Sequence, residues 1–453
     1  MDIELQVESL QKILGSDALR EMAVETGFSQ RSSKLTPEVF FDLLFYAVSL
    51  GHNSSLEYLV SYLESKYGIE MRKQSLDERF SEKAVNFVKQ VLLRLINEQL
   101  STLLYHEGFL SDFNHVRIKD STKFNVPSNL KEHYRGSGGS GSTSEAGISI
   151  QYEFDLKTGK FLDLTITEAV RNDQQDAKET SGNICKDDLV MRDSGYFSIT
   201  GLQQINENEA FYLSRKPSNV LVYDANGNEI DFKKVYSLMS KNRIETLEMQ
   251  VFIGSTKKEQ VRLVIGLVPE QIYQERLRRK EKEGKKKGRK IRDKTKFLLH
   301  FNLHVTNVDA KILPREKVLP LYRFRWQVEL MFKTWKSIFA IHTLQKMKEA
   351  RYIAMLYTRL ILIIVNLQII NQVQSALSKQ GINDSILSYH KTLQTMKNNF
   401  SEILSILRSE KEIAIPILKK IYLVLSKNHW REKRKGRENY FENMDLFTCI
   451  LEK

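Results

Sequence analysis

LYRFRWQVELMFKTWK, residues Leu321–Lys336, is the stretch whose reading decides the fold. It follows Pro320, contains no Gly or Pro, and is rich in long and aromatic side chains. That is the pattern of a helix opening just after a proline. At about 100° per residue, Phe324, Val328, Met331, Phe332, Trp335, Ile338 and Phe339 fall on one broad apolar arc. Tyr322, Arg325, Glu329 and Lys336 lie within roughly 60° of one another beside it. One acid is thus flanked by two cations and a phenol, along one edge of a helix otherwise built for burial. By itself such an edge reads as solvent-facing, with i,i+4 pairs Arg325–Glu329 and Glu329–Lys333.

The rest of the chain sets the context. Its 453 residues allow two to four domains, and 41% hydrophobic with 28% charged residues is the balance of a soluble globular protein. A formal net charge of +13 suits a polyanionic partner, nucleic acid first. Cys185 and Cys449 are too few and too far apart for a metal knuckle or a disulfide framework, so a reducing compartment is expected. The start, MDIELQVESL, has an acid where an export signal needs basic residues. Tyr352–Val373 is strongly apolar, but Arg359, Asn366, Gln368 and Asn371 interrupt it. A buried helix is expected there, and no membrane.

Residues 1 to about 105 read as helices. One runs from Pro37 to Gly51, a second is capped by Asn53 or Ser54 and stops at Gly68, and a third follows with Arg72, Lys73, Gln74 and Arg79 at its entry. This is a plausible helix-turn-helix. From His115 the period changes to two: HVRIKD places Val116, Ile118 and Asp120 on one side of a strand. A loop with GSGGSGS (Gly136–Ser142) follows, then strands Ile148–Asp155 and Lys160–Glu168, a helix Asp173–Ile184, and a short strand, LVMRD, ending in Asp193. Helix Thr200–Asn208 and strand Phe211–Ser214 complete the pattern. Residues 217–315 read largely as strands, with a dense cationic run at Arg276–Lys294 that is either a solvated charged segment or a phosphate contact. After Leu344 the chain reads as helical to about Lys427, and a basic stretch Lys427–Arg437 precedes the end.

The spacing Y-x2-R-x3-E-x6-K at Tyr322, Arg325, Glu329 and Lys336 resembles the YREK signature of bacterial insertion-sequence transposases of the DDE class, the cut-and-paste group with a ribonuclease-H-like catalytic domain. KQSLDERF is also similar to a segment of that family's amino-terminal DNA-binding domain, and three strands, helix, strand, helix, strand is the order of a ribonuclease-H-like fold. The resemblance covers roughly Pro37 to Leu344. It implies an α+β multidomain chain: a helical DNA-binding domain at 1–110, a ribonuclease-H-like core at 111–216, a β-rich insertion at 217–315, a core helix with the third acid at 316–344, and a helical region at 345–453.

The same resemblance implies that Asp120, Asp193 and Glu329 are the catalytic, metal-binding acids. Tyr322, Arg325 and Lys336 would touch transposon-end DNA, with Arg72, Lys73 and Arg79 contacting DNA from the amino-terminal domain. Converging carboxylates need divalent cations between them, and oxygen-only donors suit magnesium or manganese, expected as two ions. Implied partners are double-stranded DNA, as terminal inverted repeats and target, and a second copy in a synaptic homodimer; the implied place is the bacterial cytoplasm, at the nucleoid. Related enzymes pass through a hairpinned end held by a flipped base, for which Phe297, His300 or Phe301 would have to serve as wedge. The runner-up is a catalytically inactive, transposase-derived DNA-binding protein. A structural or RNA-binding helical protein is the third reading.

Overall fold

The computed structural model describes residues 3–50, 55–100, 108–138, 145–254, 258–286, 288, 290–379 and 387–430. The chain divides into two compact units. One gathers Met1–Tyr105, Ser121–Val170 and Glu329–Asn439; the other gathers His106–Asp120, Arg171–Val328 and Tyr440–Lys453.

The first unit is mainly helical. Helix Glu349–Lys379 is its axis, packed against helices Glu82–Glu98 and Pro37–Ser49. It carries the one stretch among the described residues long and apolar enough to cross a membrane, and 94% of that window is buried. A helix apolar on all sides needs neighbours all round, which draws the first hundred residues and the carboxy-terminal helices into one body. Helix Ile3–Leu14 packs on Lys411–Asn428, and the buried Asp42 takes a 2.6 Å ion pair from Arg408 and a 3.0 Å hydrogen bond from Tyr67. Arg359, expected as an interruption of the apolar run, is 1% exposed and donates to the Ala340 carbonyl.

Several amino-terminal boundaries differ from expectation. Asn53 and Ser54 lie outside the described residues, and the observed cap of helix Leu56–Tyr67 is Ser55, whose hydroxyl accepts from the Tyr58 amide at 3.4 Å. Gly68 ends that helix at φ 64, as a left-handed cap favours. The third helix is two, Lys73–Arg79 and Glu82–Glu98, because Ser81 caps the second with its own hydroxyl. Part of the GSGGSGS segment and most of the basic tail lie outside the described residues.

Strand β1 is Val116–Asn125, which runs five residues past the end of the HVRIKD reading. Its latter half counts with the first unit, beside β2 (Gly147–Asp155) and β3 (Phe161–Glu168), in the order β3–β2–β1. The helix Arg325–Ile338 presses its apolar arc onto this hairpin: Trp335 is fully buried, 5.3 Å from the Tyr152 ring and 5.9 Å from Phe161. Truncating such a side chain to Ala costs about 3–5 kcal/mol.

In the second unit the first half of β1 leads the order β1–β4–β5–β9–β8–β7–β6, where β4 is Leu189–Arg192, β5 Phe211–Arg215, β6 Val222–Tyr223, β7 Thr246–Ile253, β8 Glu259–Leu267 and β9 Phe301–Thr306. β1, β4 and β5 are parallel; β9 joins β5 antiparallel, with Leu213 opposite Thr306. The strands of 217–315 therefore lengthen one sheet, over a shared core that includes Val190, Tyr212, Leu263 and Val305. This segment also holds three helices besides its strands, Phe232–Lys241, Glu270–Lys286 and Asp293–Leu298. The cationic run is mostly the second of these. Arg276 anchors it to the Leu299 and Phe301 carbonyls and to the Asn302 side chain, so the run is not a free loop.

The deciding stretch is also two helices. The first, Arg315–Arg323, begins after Pro314 and contains Pro320; the second is Arg325–Ile338. Pro320 lacks an amide hydrogen and crowds the carbonyl four residues back, yet the first helix runs three residues past it.

Candidate active site

Asp120 and Asp193 are neighbours because of strand register. β1 and β4 run parallel with Lys119 opposite Arg192, so the next residue on each is an aspartate. Adjacent strands lie about 4.8 Å apart, which sets the two carboxylates side by side. β4 ends at Arg192, and Asp193 caps a short turn, Ser194–Tyr196, in extended conformation. The flanking positions on β1 are held by buried ion pairs, Arg117–Asp188 at 2.9 Å and Lys119–Asp176 at 2.7 Å. These fix the strand that carries Asp120, and period-two reading, which tracks apolar residues, does not reveal them.

Arg325 stands between the two acids. Its Nη1 donates to Asp120 at 3.1 Å, and its Nη2 lies 3.8 Å from Asp193. Side-chain exposures of 11% for Arg325, 15% for Asp120 and 40% for Asp193 put the first contact in a low-dielectric setting and leave the second half open to solvent. Tyr322, at the end of the preceding helix, donates its hydroxyl to the Arg192 carbonyl at 3.2 Å. It thereby braces the backbone just before Asp193, and burial pushes its phenol up to about 12. Its ring packs 4.5 Å from that of His304, whose imidazole is driven down to about 3 by burial and by the cations Arg215, Arg276 and Arg323.

Asp173 and Gly195 complete the surroundings, and the sequence reading passed over both. A Cβ on Gly195 would lie 3.2 Å from Asp173 Oδ2 and 3.9 Å from Asp193 Oδ2, so glycine leaves room for two carboxylates beside it. The signal available was the glycine two residues after the acid.

The remaining expected site residues lie in the other unit. Glu329 is one helical turn beyond Arg325 in the same helix and is partly exposed. Lys336 makes a long 3.5 Å contact to the Lys123 carbonyl, and burial lowers its ammonium. Arg72 and Lys73 are exposed, Lys73 pairing with Glu57 at 2.9 Å, and Arg79 donates to the Ser33 hydroxyl. Of the aromatic wedge candidates, Phe301 is 3% exposed, and His300 is stacked on Tyr273 at 3.6 Å with Phe297 against it.

Among the described residues no three His, Cys, Asp or Glu side chains gather closely enough to hold a metal ion. What the structure brings together is the pair Asp120 and Asp193 with a guanidinium in the position of a counter-cation. Two oxygen-donor groups already satisfied by a positive charge form a fitting partial ligand set for a hard divalent cation.

Comparison with known proteins places the chain in a family. Residues 112–367 match the transposase DDE domain family. The chain is 29% identical to the transposase for insertion sequence element IS231B of Bacillus thuringiensis subsp. berliner, over 98% of this chain and 96% of that one. It is 30% identical to the IS231F transposase of Bacillus thuringiensis subsp. israelensis over the same shares, and 29% identical to the IS1151 transposase of Clostridium perfringens over 80% of each. With more than half of its length matched by the family domain and nearly all of it by such relatives, the chain belongs to the DDE transposases of bacterial insertion sequences.

Proposed function

We propose that this chain binds the ends of its own insertion sequence, cleaves them with divalent metal, and joins the freed 3′-OH ends to target DNA in cut-and-paste fashion. The observation that carries the reading is the register match that sets Asp120 beside Asp193 about one guanidinium. In this reading Asp120, Asp193 and Glu329 hold magnesium or manganese. Divalent ions bound there would supply a water of lowered pKa and charge neutralisation for the departing 3′ oxygen. Arg325 exchanges its carboxylate partners for a DNA phosphate, a geometry that its planar fork suits. Tyr322 holds the end of β4 still while this happens, and Lys336 steers the DNA backbone.

The five-part organisation belongs to the same reading: 1–110 for end recognition, 111–216 and 316–344 for the chemistry, 217–315 as an insertion beside it, and 345–453 in a synaptic homodimer. The enzyme acts in the cytoplasm, on the nucleoid. The test is the purified full chain with a duplex carrying its element's terminal inverted repeat. Nicks at the repeat boundary that leave a 3′-OH, and only with magnesium or manganese, are expected. Tight, repeat-specific binding without cleavage in either metal would favour a catalytically inactive DNA-binding protein instead.

A further inference from the structure

In the first unit a cavity of about 480 Å³ opens between the loop Gly27–Leu35 and the residues that join helices Lys73–Arg79 and Glu82–Glu98. Arg31, Arg79 and Lys83 line it against a single acid among the described residues, Glu78, and Ser29, Ser32, Ser33 and Ser81 add four hydroxyls. Two long helices also begin at its wall. Pro37 is the first residue of Pro37–Ser49, and Ser81 caps Glu82–Glu98. Helix starts carry partial positive charge and spare amide hydrogens. Every charged or dipolar feature of this hollow except Glu78 therefore favours an anion.

The lining also narrows which anion. Its one aromatic ring among the described residues, Phe28, is stacked face to face on Phe87 at 5.1 Å and packs against Phe40 at 4.8 Å. Stacking on Phe87 takes one face of that ring, so the cations and hydroxyls are the lining's main means of holding a ligand, and a nucleobase, which needs an open aromatic face, is the less favoured occupant. The loop is held in place from both sides. Arg79 donates to the Ser33 hydroxyl, and the Lys83 stem runs 3.9 Å from where a Cβ on Gly27 would be, with Gly27 at φ 67.

We infer that this cavity is the anchor by which the amino-terminal helices grip the phosphate backbone of duplex DNA, with Arg31 and Lys83 as the two ion-pairing groups. Arg79 and the serines shape the hollow. The anchor is distinct from the Arg72–Lys73 surface, where Lys73 is already paired with Glu57. The inference rests on the reading that the chain acts on DNA, and the experiment separates the two.

The test uses the full chain, a fluorescent duplex of the terminal repeat, and anisotropy titrations at several salt concentrations. Each phosphate contact contributes about 0.9 to the slope of log affinity against log salt. Arg31→Gln/Lys83→Gln should lower that slope by about 2 and weaken binding about tenfold or more at moderate salt. Arg72→Gln/Lys73→Gln removes the same charge and should change the slope by less than half as much. All four side chains lie at the surface or on its rim, so melting temperatures should stay level. Inorganic phosphate at constant ionic strength should displace DNA from the wild type more readily than from the Arg31→Gln/Lys83→Gln variant. Equal slopes for the two variants would overturn the anchor, as would phosphate binding in the cavity with no effect on DNA. A wild type that binds no duplex even at low salt would remove the DNA-acting reading as well.

Discussion

Arg325→Gln tests how far this side chain neutralises the two acids, apart from its proposed contact with DNA. In the structure one guanidinium serves Asp120 at 3.1 Å and Asp193 at 3.8 Å. A pair at such distances is worth about 4 kcal/mol at an effective dielectric of 20 and about 1 kcal/mol in water. The Asp120 contact, with both side chains at most 15% exposed, belongs nearer the first value. The Asp193 contact, longer and 40% exposed on the acid side, is discounted toward the second. Removing one partner of a fully buried pair costs about 3–5 kcal/mol, so a loss of about 2–3 kcal/mol is expected here. That corresponds to a fall in Tm of about 5–10 °C for a unit of this size. The variant removes the guanidinium that the two aspartates share, so magnesium should stabilise it more than it stabilises the wild type. The assay is thermal unfolding with and without magnesium chloride, against sodium chloride at matched ionic strength. A variant that melts with the wild type, or whose deficit is the same with and without magnesium, would refute the reasoning.

Glu329→Gln should leave stability within about 0.5 kcal/mol, because Gln has nearly the same helix propensity. Magnesium-dependent cleavage of a repeat duplex should fall by about a thousandfold or more, and Lys336→Ala should instead weaken DNA binding with the metal requirement unchanged. His304 gives a pH signature. Its folded value of about 3 lies below the ordinary 6.5, so the unfolded chain binds the extra proton between those limits. Its contribution is complete above pH 6.5 and declines as pH falls toward 3, by about 2 kcal/mol at pH 5. Urea unfolding of His304→Phe should lose correspondingly less stability than the wild type between pH 7 and pH 5, and parallel curves would show that His304 does not set the slope.

The spacing of Tyr322, Arg325, Glu329 and Lys336, and the placing of Asp193 at the end of a short strand, could be read from the chain alone, whereas Asp120 lies inside a strand that runs on to Asn125. Equally legible were β2, β3, β4, β5 and the burial of the Tyr352–Val373 helix. These are local patterns: apolar period and turn residues decide them within a few positions. What Arg325 does was not legible. Glu329, four residues away, is the acid that local spacing offers it; nothing local shows that its guanidinium reaches Asp120, 205 positions earlier in the chain. That contact exists because β1 and β4 pair in one particular register, and a charge removed from water takes whichever opposite charge the packing brings near. The helices inside 217–315, the Lys119–Asp176 pair and the hollow around Arg31 and Lys83 have the same origin. Each depends on which surfaces meet, and a charged side chain carries no periodic mark of the neighbour it will meet in the folded protein.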